Sequence, residues 1–360
     1  MEGSIIVNNQ QYSFTEFSEL GFEKLPVSAL KAQLFVHKWL SNSKVFTIKT
    51  SGSSGKPKEI EITRKQMIVS ANNTIKALDL KPKTHALMAM SVERIGGLMM
   101  LVRSLVGGWH LHLHAPTNNL ALILEERSFD FSALVPLQVE TLISEDKGYL
   151  LESIECLLLG GAGLSTSLQE ILNKFQNRIF HSYGMTETVS HIALRKISQQ
   201  QNTPWFTLIG DNQIGTDEND CLKVKGAVTD YKWVHTHDLI EQNANMFRWL
   251  SRVDLVINSG GVKLQIEELE LRLNKLIPNH LSGNLCIWKR LDDKLGEKVV
   301  CICDSVELIQ YFHTNEKKLK PQFVRYGWPK KWHHIASLIL TASGKIDRVN
   351  SLTHSVPISI

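Results

Sequence analysis

The sequence predicts an α/β protein with a large N-terminal domain of doubly wound sheets, a small β subdomain and a small α+β C-terminal domain. Short apolar runs alternate with helical stretches between residues 85 and 181, which is typical of a doubly wound sheet. From residue 205 the pattern changes to short β-like pieces separated by turn residues. The length of 360 residues exceeds one average domain. We therefore predict a large domain over residues 1–252 and a smaller one over residues 253–360.

The first quarter of the chain predicts helices and one pair of strands. Apolar residues recur at helical spacing within residues 1–44 and indicate one or two helices. Strands are predicted over residues 45–49 and 59–62, on either side of a polar loop. Thr63 is the predicted N-cap of an amphipathic helix that Pro82 ends.

The doubly wound part follows from apolar runs alternating with amphipathic ones. Its predicted strands cover residues 85–90, 109–113, 131–135, 154–159 and 178–181. Its predicted helices cover residues 96–105, 119–127 and 137–143, and a further helix opens with the capping box Ser167-x-x-Glu170.

The rest of the sequence predicts a β-rich segment followed by an α+β domain. The β subdomain has predicted strands over residues 205–209, 221–224, 231–234 and 246–250. The C-terminal domain has predicted helices over residues 266–276 and 306–319 and predicted strands over residues 285–288 and 299–303.

Composition limits the possible partners and compartments. The chain carries 40 Lys+Arg against 36 Asp+Glu, a net charge of +4, which is too weak to indicate nucleic acid as a partner. Five cysteines without C-x-x-C spacing indicate reduced thiols. No basic-then-apolar leader is evident, and the longest apolar run, near residues 95–106, is too short to span a bilayer. We expect a cytoplasmic protein with no membrane partner.

The loop between the first two predicted strands could wrap a polyphosphate. It reads Thr50-Ser51-Gly52-Ser53-Ser54-Gly55-Lys56-Pro57-Lys58. Glycine allows close backbone approach to an anion, and the hydroxyls, amides and lysines supply donors and positive charge. Its spacing differs from the nucleoside-triphosphatase loop G-x-x-x-x-G-K-[ST]. Taken alone, such a loop is more often a solvated turn than a phosphate site.

Five further motifs follow this loop, and all six in one order are hard to produce by chance. In chain order they are Gly160-Gly161-Ala162-Gly163; His181-Ser182-Tyr183-Gly184-Met185-Thr186-Glu187; Thr236-His237-Asp238; Ser251-Arg252-x-Asp254 with Ile257-Asn258-Ser259-Gly260-Gly261-Val262-Lys263; and Thr341-Ala342-Ser343-Gly344-Lys345-Ile346-Asp347-Arg348. The first follows an apolar strand, at the strand end where open α/β sheets place ligands.

Together these motifs resemble those of the adenylate-forming superfamily, which includes acyl- and aryl-CoA ligases, luciferases and the adenylation domains of peptide synthetases. The resemblance covers the chain from about residue 45 to 350. It implies an acid–thiol ligase that converts a carboxylate and ATP into an acyl-adenylate and pyrophosphate, after which CoA displaces AMP. The implied partners are a small-molecule carboxylic acid, ATP and CoA, with Mg²⁺ as the cofactor.

The resemblance also implies a role for each motif residue. The loop at residues 50–58 would hold the β- and γ-phosphates, and Thr186 would offer a hydroxyl to phosphate. Glu187 would bind Mg²⁺. Lys345 would bridge the attacking carboxylate and the α-phosphate. The remaining nucleotide contacts would come from Gly161, Ala162, Tyr183 stacked on adenine, Gly184, Asp238 on the ribose hydroxyls, and Arg252.

The same resemblance implies that the C-terminal domain is a mobile lid. Asp254 falls at the hinge between the domains. After adenylation the lid would rotate, take Lys345 away and bring Gly260 and Gly261 to the CoA tunnel. Two glycines suit a backbone that a slender pantetheine arm passes closely.

The acyl pocket looks like that of bacterial o-succinylbenzoate–CoA ligases of menaquinone biosynthesis. Residues 91–103 resemble the corresponding run in those enzymes, and Arg103 matches an arginine that they use for the aromatic diacid. The implied acyl-substrate residues are Arg94, Gly97, Arg103, Gln138 and His181. A helix-surface charge is the alternative for Arg103. For the whole chain, another aryl- or acyl-CoA ligase, or a non-catalytic nucleotide-binding homologue, stays open, as does the choice between monomer and homodimer.

Some positions depart from the superfamily pattern. The phosphate loop begins at residue 50, whereas it usually follows a long N-terminal portion in the superfamily, so we expect most of one N-terminal subdomain to be absent. His237 and Ser251 stand where glycine is usual, and the proline-lysine lead to the catalytic lysine is absent. Because every charged catalytic group is retained, we predict a compact, active enzyme.

Overall fold

A computed structural model of the chain describes residues 2–50, 58–278, 280–340 and 346–358. Packing divides this part into two units. The first holds the described residues up to Thr236 together with Ile240–Trp249, and the second holds His237–Leu239 and the described residues from Leu250 onward. Each unit has a hydrophobic core of its own.

The strands as far as residue 252 are, in chain order, β1 (Ser4–Val7), β2 (Gln10–Ser13), β3 (Val45–Thr50), β4 (Lys58–Thr63), β5 (His85–Met88), β6 (His110–Leu113), β7 (Phe129–Leu134), β8 (Ile154–Leu159), β9 (Arg178–Gly184), β10 (His191–Lys196), β11 (Trp205–Leu208), β12 (Gln213–Thr216), β13 (Cys221–Lys225), β14 (Val234–Asn243) and β15 (Met246–Arg252). The helices are α1 (Phe14–Glu19), α2 (Val27–Leu40), α3 (Arg64–Ala77), α4 (Ile95–Gly107), α5 (Ala121–Glu126), α6 (Pro136–Ser144) and α7 (Thr166–Leu172).

The main sheet has the strand order β12-β13-β14-β15-β11-β10-β9-β8-β7-β5-β6-β1-β2. Its central strands β6, β5, β7, β8 and β9 are parallel. Successive residues of these strands alternate between two cores, with Cys156 and Leu158 in one and Leu157 and Leu159 in the other. Helices α3 and α4 contribute to the first core, and α6 and α7 to the second. This two-sided burial confirms the predicted doubly wound α/β class.

The strands after β9 extend this sheet in antiparallel fashion. Strand β10 pairs with β9, β11 with β10, and β15 with β11. The β-like pieces predicted from the sequence therefore continue the large sheet. Strands β3 and β4, which flank the predicted phosphate loop, form a separate antiparallel ribbon whose last pair is Thr50 with Lys58.

The second unit is a mixed sheet packed against helices. Its elements are β16 (Val256–Ser259), β17 (Val262–Gln265), α8 (Ile266–Lys275), β18 (Leu285–Asp292), β19 (Gly296–Cys303), α9 (Val306–Thr314), α10 (Glu316–Leu319), β20 (Lys331–His334), α11 (Arg348–Thr353) and β21 (Val356–Ile358). Leu269 of α8 and Phe312 of α9 pack in its core with Trp332 of β20. The rings of Phe312 and Trp332 stack with their centroids 5.2 Å apart.

Several predicted boundaries are wrong for local reasons. Helix α3 begins after the predicted cap Thr63 but stops well before Pro82. Asp79, at φ 50°, takes the left-handed conformation that ends a helix. The Leu80 N–H then donates to the Ile75 carbonyl, 3.0 Å away.

Other elements begin or end at different residues from those predicted. Ser165, rather than Ser167, caps α7 by accepting a hydrogen bond from the Leu168 N–H. The strand predicted over residues 231–234 begins only at Val234. The predicted helix over residues 306–319 is interrupted at Asn315.

Helix length and cysteine burial bear on the sequence-based expectations for the part of the chain that the structure covers. No helix there has both the length and the apolar run needed to cross a bilayer. The five cysteines are free and buried. Burial raises the pKa of the Cys156 thiol to about 11, so this sulfur stays a thiol at neutral pH.

Candidate active site

The turn that follows β9 presents the central motif. Strand β9 ends at Gly184, and a 3₁₀ turn follows over Thr186–Thr188. A Cβ at Gly184 would lie 2.3 Å from the Ser190 carbonyl oxygen, so only glycine lets the chain return so closely. The Thr188 hydroxyl accepts from the Met185 N–H at 3.1 Å and fixes the turn. The Glu187 carboxylate is left exposed, with a half-buried Thr186 before it.

Backbone strain is present at the end of this turn. Val189 has φ 66° and ψ −50°, which is a rare conformation for a β-branched residue. Its side chain is buried, and such strain persists only where the surrounding packing enforces it. The conformation of the Thr186–Thr188 turn is therefore held by the core of the first unit.

The glycine-rich loop after β8 is fixed by His181 on the neighbouring strand. The Arg195 Nε donates to His181 Nδ1 at 3.1 Å, so this ring nitrogen must accept. The other nitrogen, Nε2, therefore carries the proton and donates to the Ala162 carbonyl at 3.2 Å. Burial, and then the charge of Arg195, lower the pKa of His181 to about 4. A neutral histidine thus ties the loop to β9.

Tyr183 is positioned by other aromatic residues. Its ring meets Phe247 edge to face with centroids 5.0 Å apart and Phe206 at 5.9 Å. The side chain is half-buried. These contacts fix the plane of the ring, as a stacking platform requires, while its contact with adenine stays a prediction.

Arg103 lies in the core and contacts Ser190, which follows the Thr186–Thr188 turn. Only 2% of its surface is exposed, so the alternative of a helix-surface charge is wrong. Its guanidinium donates to Thr74 Oγ1 at 3.2 Å and to Ser190 Oγ at 2.8 Å, and it meets His191 Nδ1 at 3.5 Å. The Met100 sulfur is the fourth contact. No acidic side chain is among the partners of Arg103 in the described part of the chain.

Burial lowers the pKa of both titratable side chains in this cluster. It lowers the pKa of Arg103 to about 10. It lowers the pKa of His191 well below its usual value, and the charge of Arg103 acts in the same direction. At neutral pH the arginine is therefore a buried cation and the histidine is neutral.

The other predicted acyl residues occupy different surroundings. Gln138 is buried, and its amide accepts from the Val135 N–H and donates to the Ala89 and Thr117 carbonyls. Backbone atoms thus satisfy both ends of this amide, and its contact with substrate stays a prediction. A Cβ at Gly97 would lie 2.3 Å from the Ser91 carbonyl oxygen, so this glycine lets α4 pack against the preceding loop. Arg94 is the exposed N-cap residue of α4.

In the second unit Arg252 contacts two other predicted site residues, Asp254 and Asp238. Arg252 donates from Nε and Nη2 to the two carboxylate oxygens of Asp254, each at 2.9 Å. Its Nη1 lies 3.7 Å from Asp238 Oδ1. Burial opposes ionisation of Asp254, but the hydrogen bonds and charge of Arg252, with the charge of His237, outweigh it and lower the pKa. The predicted ribose ligands and the predicted hinge therefore form one charged cluster.

The two predicted tunnel glycines form the turn between β16 and β17. Gly260 and Gly261 have φ values of 55° and 82°, the left-handed pair that a two-residue hairpin turn requires. A Cβ at Gly260 would lie 2.6 Å from the Tyr326 ring, whereas a Cβ at Gly261 would meet no atom within 4 Å. Their contact with CoA stays a prediction.

Two predicted elements lie outside the described residues. They are the loop Ser51–Pro57, with the side chains of Thr50 and Lys58, and the catalytic candidate Lys345. The chain on either side of residues 341–345 is anchored, because Leu340 and Ile346 form an antiparallel bridge. Two residues later the Arg348 Nη2 pairs with both carboxylate oxygens of Glu270, at 2.9 and 2.8 Å.

The described residues fit a magnesium ion held with a polyphosphate. They contain no group of three or more histidine, cysteine, aspartate or glutamate side chains that could hold a metal alone. Glu187 instead offers one exposed carboxylate. Mg²⁺ is commonly bound by one or two carboxylates together with substrate phosphates, so this donor set suits it.

The predicted residues thus fall into two groups, one in each unit. The Gly160–Gly163 loop, His181, Tyr183 and the Thr186–Thr188 turn meet at the carboxyl ends of β8 and β9, and Asp238, Arg252 and Asp254 meet in the second unit. Sequence reasoning missed four residues of the first unit: Thr74, Ser190, His191 and Arg195. Ser190 and His191 lie three and four residues after Glu187, the last residue of the Tyr-Gly-Met-Thr-Glu motif, and that proximity was the available signal.

Comparison with known proteins gives a consistent family. Residues 8–210 match the AMP-binding enzyme family. A 2-succinylbenzoate--CoA ligase of Listeria monocytogenes is 25% identical over 91% of this chain and 74% of its own length. An acyl-CoA synthetase (AMP-forming)/AMP-acid ligase II-like protein of Dyadobacter fermentans is 33% identical, with a TM-score of 0.63 over 94% of this chain and 97% of its own.

A third relative has been solved with bound ligands. The o-succinylbenzoate CoA synthetase of Bacillus subtilis, in complex with its acyl-adenylate intermediate, has a TM-score of 0.71 and 22% identity over 87% of this chain and 70% of its own. A second structure of that enzyme holds ATP and a magnesium ion, with a TM-score of 0.70 over 85% of this chain and 69% of its own. This likeness supports a common fold.

Proposed function

The chain belongs to the family of AMP-binding enzymes, and on that premise we propose that it is an ATP-dependent carboxylic acid–CoA ligase. In the first step a carboxylate oxygen of the acid attacks the α-phosphorus of ATP, and pyrophosphate leaves. In the second step the CoA sulfur attacks the acyl carbon, and AMP leaves. The observation that carries the proposal is the turn after β9, where an exposed Glu187 stands beside Thr186 at the carboxyl end of a parallel sheet.

Catalysis on this proposal consists of positioning and charge stabilisation. Asp238 accepts hydrogen bonds from the ribose hydroxyls, and Arg252 orients Asp238 from 3.7 Å. Lys345 supplies a fixed positive charge to the attacking carboxylate and the α-phosphate. Glu187 would hold Mg²⁺ together with phosphate oxygens, and the bound ion would supply positive charge against the negative charge of the pyrophosphate. No side chain acts as a nucleophile, because the substrate carboxylate attacks.

We also propose that the acid is an aromatic diacid of the o-succinylbenzoate type. Burying the Arg103 cation among neutral partners costs solvation energy, and a second substrate carboxylate would offset that cost by pairing with it. The identity of 25% to a 2-succinylbenzoate--CoA ligase agrees with this choice. Another aryl or acyl acid is the alternative.

Domain alternation is a further part of the proposal. The second unit would act as the mobile lid that carries Lys345, with Asp254 at the hinge and Gly260 and Gly261 facing the thiol. The left-handed turn at these glycines, with open space around Gly261, supports close passage of a pantetheine arm.

We propose that the protein acts in the cytoplasm.

The test is acid-dependent release of pyrophosphate from ATP with a panel of acids: o-succinylbenzoate, benzoate, phenylacetate and a medium-chain fatty acid. We expect release with o-succinylbenzoate at the highest kcat/KM, and loss of release in Glu187→Gln. Release with a different acid only would overturn the choice of substrate. An absence of release with every acid, in a folded protein that binds ATP, would overturn the ligase proposal and favour a nucleotide-binding homologue.

A further inference from the structure

A cavity lies in the first unit, away from the turn after β9. Its volume is 740 Å³, and its walls are helix α3 and the strands β9, β10 and β11. Its lining includes Asn73, Lys76, Phe180, Arg195, Lys196 and Trp205. Phe180 and His181 are neighbours on β9, so their side chains point to opposite faces of the sheet. The cavity, on the Phe180 face, is therefore distinct from the part of the candidate active site that contains His181.

Strand register explains why these side chains meet. Lys196 pairs with Phe180 across β10 and β9, and Leu194 pairs with Thr207 across β10 and β11. Because side chains alternate along a strand, these four residues share one face of the sheet with Trp205. The C-terminal turns of α3 cover that face and add Asn73 and Lys76.

The cavity is positively charged. The Arg195 guanidinium does not supply this charge, because Arg195 precedes Lys196 on β10 and its side chain lies on the opposite face of the sheet, with His181 Nδ1 and the Phe206 ring. The charge comes from Lys76 and Lys196, and none of the described residues that line the cavity is acidic. Local positive charge without a counterion attracts anions.

The cavity also holds an unsatisfied hydrogen-bond donor. The Nδ2 of Asn73 is buried and has no hydrogen-bond partner among the described residues. Gly210 makes room for this amide, since a Cβ there would lie 2.2 Å from Asn73 Nδ2, and its φ is 67°. An unpaired buried donor costs free energy unless a ligand or water accepts from it. The lining of the cavity also includes two aromatic side chains, Phe180 and Trp205.

We propose that this cavity binds a small aromatic molecule that carries a phosphate or a carboxylate. The lysines and the Asn73 amide pair with the anionic group, and Phe180 and Trp205 contact the ring. The volume falls within the usual range of small-molecule sites. Recognition of this kind needs both the charge and the ring, and salt weakens it.

The test is titration calorimetry of the full chain without ATP, acid or Mg²⁺. Phenyl phosphate and benzoate are the two anionic probes, and their relative affinities distinguish a phosphate site from a carboxylate site. Inorganic phosphate and phenol each lack one feature. We expect one molecule of an anionic probe to bind per chain, at least about tenfold more tightly than inorganic phosphate or phenol.

Variants assign the binding to this cavity. Lys196→Gln and Trp205→Leu should each weaken the better probe by about tenfold. Lys65→Gln, which removes an exposed lysine of α3 outside the cavity, is the matched control and should bind normally. Saturating AMP should leave the titration unchanged, so the result is independent of the ligase proposal. Absence of binding by both probes, equal affinity for inorganic phosphate, displacement by AMP, or equal loss in Lys65→Gln would overturn the inference.

Discussion

Arg103 and Arg252 are both candidates for contact with substrate, yet their surroundings are opposite. Arg252 in the second unit is partly exposed and pairs with the carboxylates of Asp238 and Asp254. Arg103 in the first unit is buried, and its partners among the described residues are hydroxyls, a sulfur and a neutral histidine. A paired arginine positions other groups, whereas a buried arginine without an acid retains charge that a bound anion can use. On the proposed function, we therefore expect Arg252 to orient other groups and Arg103 to recognise the acid.

The largest expected effect is on recognition. Arg103→Met should lower kcat/KM for o-succinylbenzoate by about 10²–10³-fold, because a charge-assisted pair to the second carboxylate is lost. The free energy of unfolding should change little or rise, since an apolar side chain of similar length replaces a buried cation without a counterion. Steady-state kinetics and urea unfolding measure the two quantities.

An unchanged KM and kcat for the diacid would remove Arg103 from the acyl site. A large loss of stability with unchanged kinetics would make Arg103 a structural residue.

The next effect concerns the neutral histidines that face cations in the first unit. The folded pKa of His181 is about 4 and the unfolded value is near 6.5, so below pH 6.5 the unfolded chain binds more protons. Stability therefore falls as pH falls from 6.5 towards 4. Between pH 6.5 and 5 the loss from this residue should be about 2 kcal/mol.

Urea unfolding at pH 7 and pH 5 measures this slope. His181→Asn, which keeps a donor for the Ala162 carbonyl but cannot titrate, should show a shallower decline between the two pH values. If the variant and the natural protein decline in parallel, the histidine is not held neutral by its surroundings.

The smallest effect is expected at the paired arginine. Asp254→Asn should lower the free energy of unfolding by about 1 kcal/mol, because both groups of the Arg252 pair are partly exposed and water screens them. Glu268→Gln removes an exposed helical pair with Arg272 and should cost at most about 0.5 kcal/mol. If Asp254→Asn lowers the free energy of unfolding by about 3–5 kcal/mol, as loss of one partner of a buried ion pair does, then water does not screen the Arg252–Asp254 pair.

Much of the fold was readable from the sequence, and the reasons are local. Strand β8 covers the predicted residues 154–159, because the continuous apolar run at residues 156–159 fits a strand buried on both faces. Strands β1 and β2 were missed, because each has only four residues. Their signal was the turn Asn8-Asn9, whose φ values of 50° and 60° suit a tight hairpin.

The site was less predictable because its contacts are not local. The motifs predicted which side chains would carry charge, but the oxygen partners of Arg103 lie on other elements, 29 residues away at Thr74 and 87 residues away at Ser190. Burial of that cation depends on how α3, α4 and β10 pack together. Helical periodicity alone left a surface charge open, and only packing excluded it.

The most direct test separates the two half-reactions in Lys345→Ala. Formation of acyl-adenylate from ATP and o-succinylbenzoate should fall by about 10²–10³-fold, because a fixed cation at the reacting phosphate is lost. Formation of the CoA thioester from supplied acyl-adenylate should stay within a few-fold of the natural protein, since the lysine has left the site by that step. Equal loss in both half-reactions, or full adenylation without the lysine, would contradict a two-step ligase that alternates its domains.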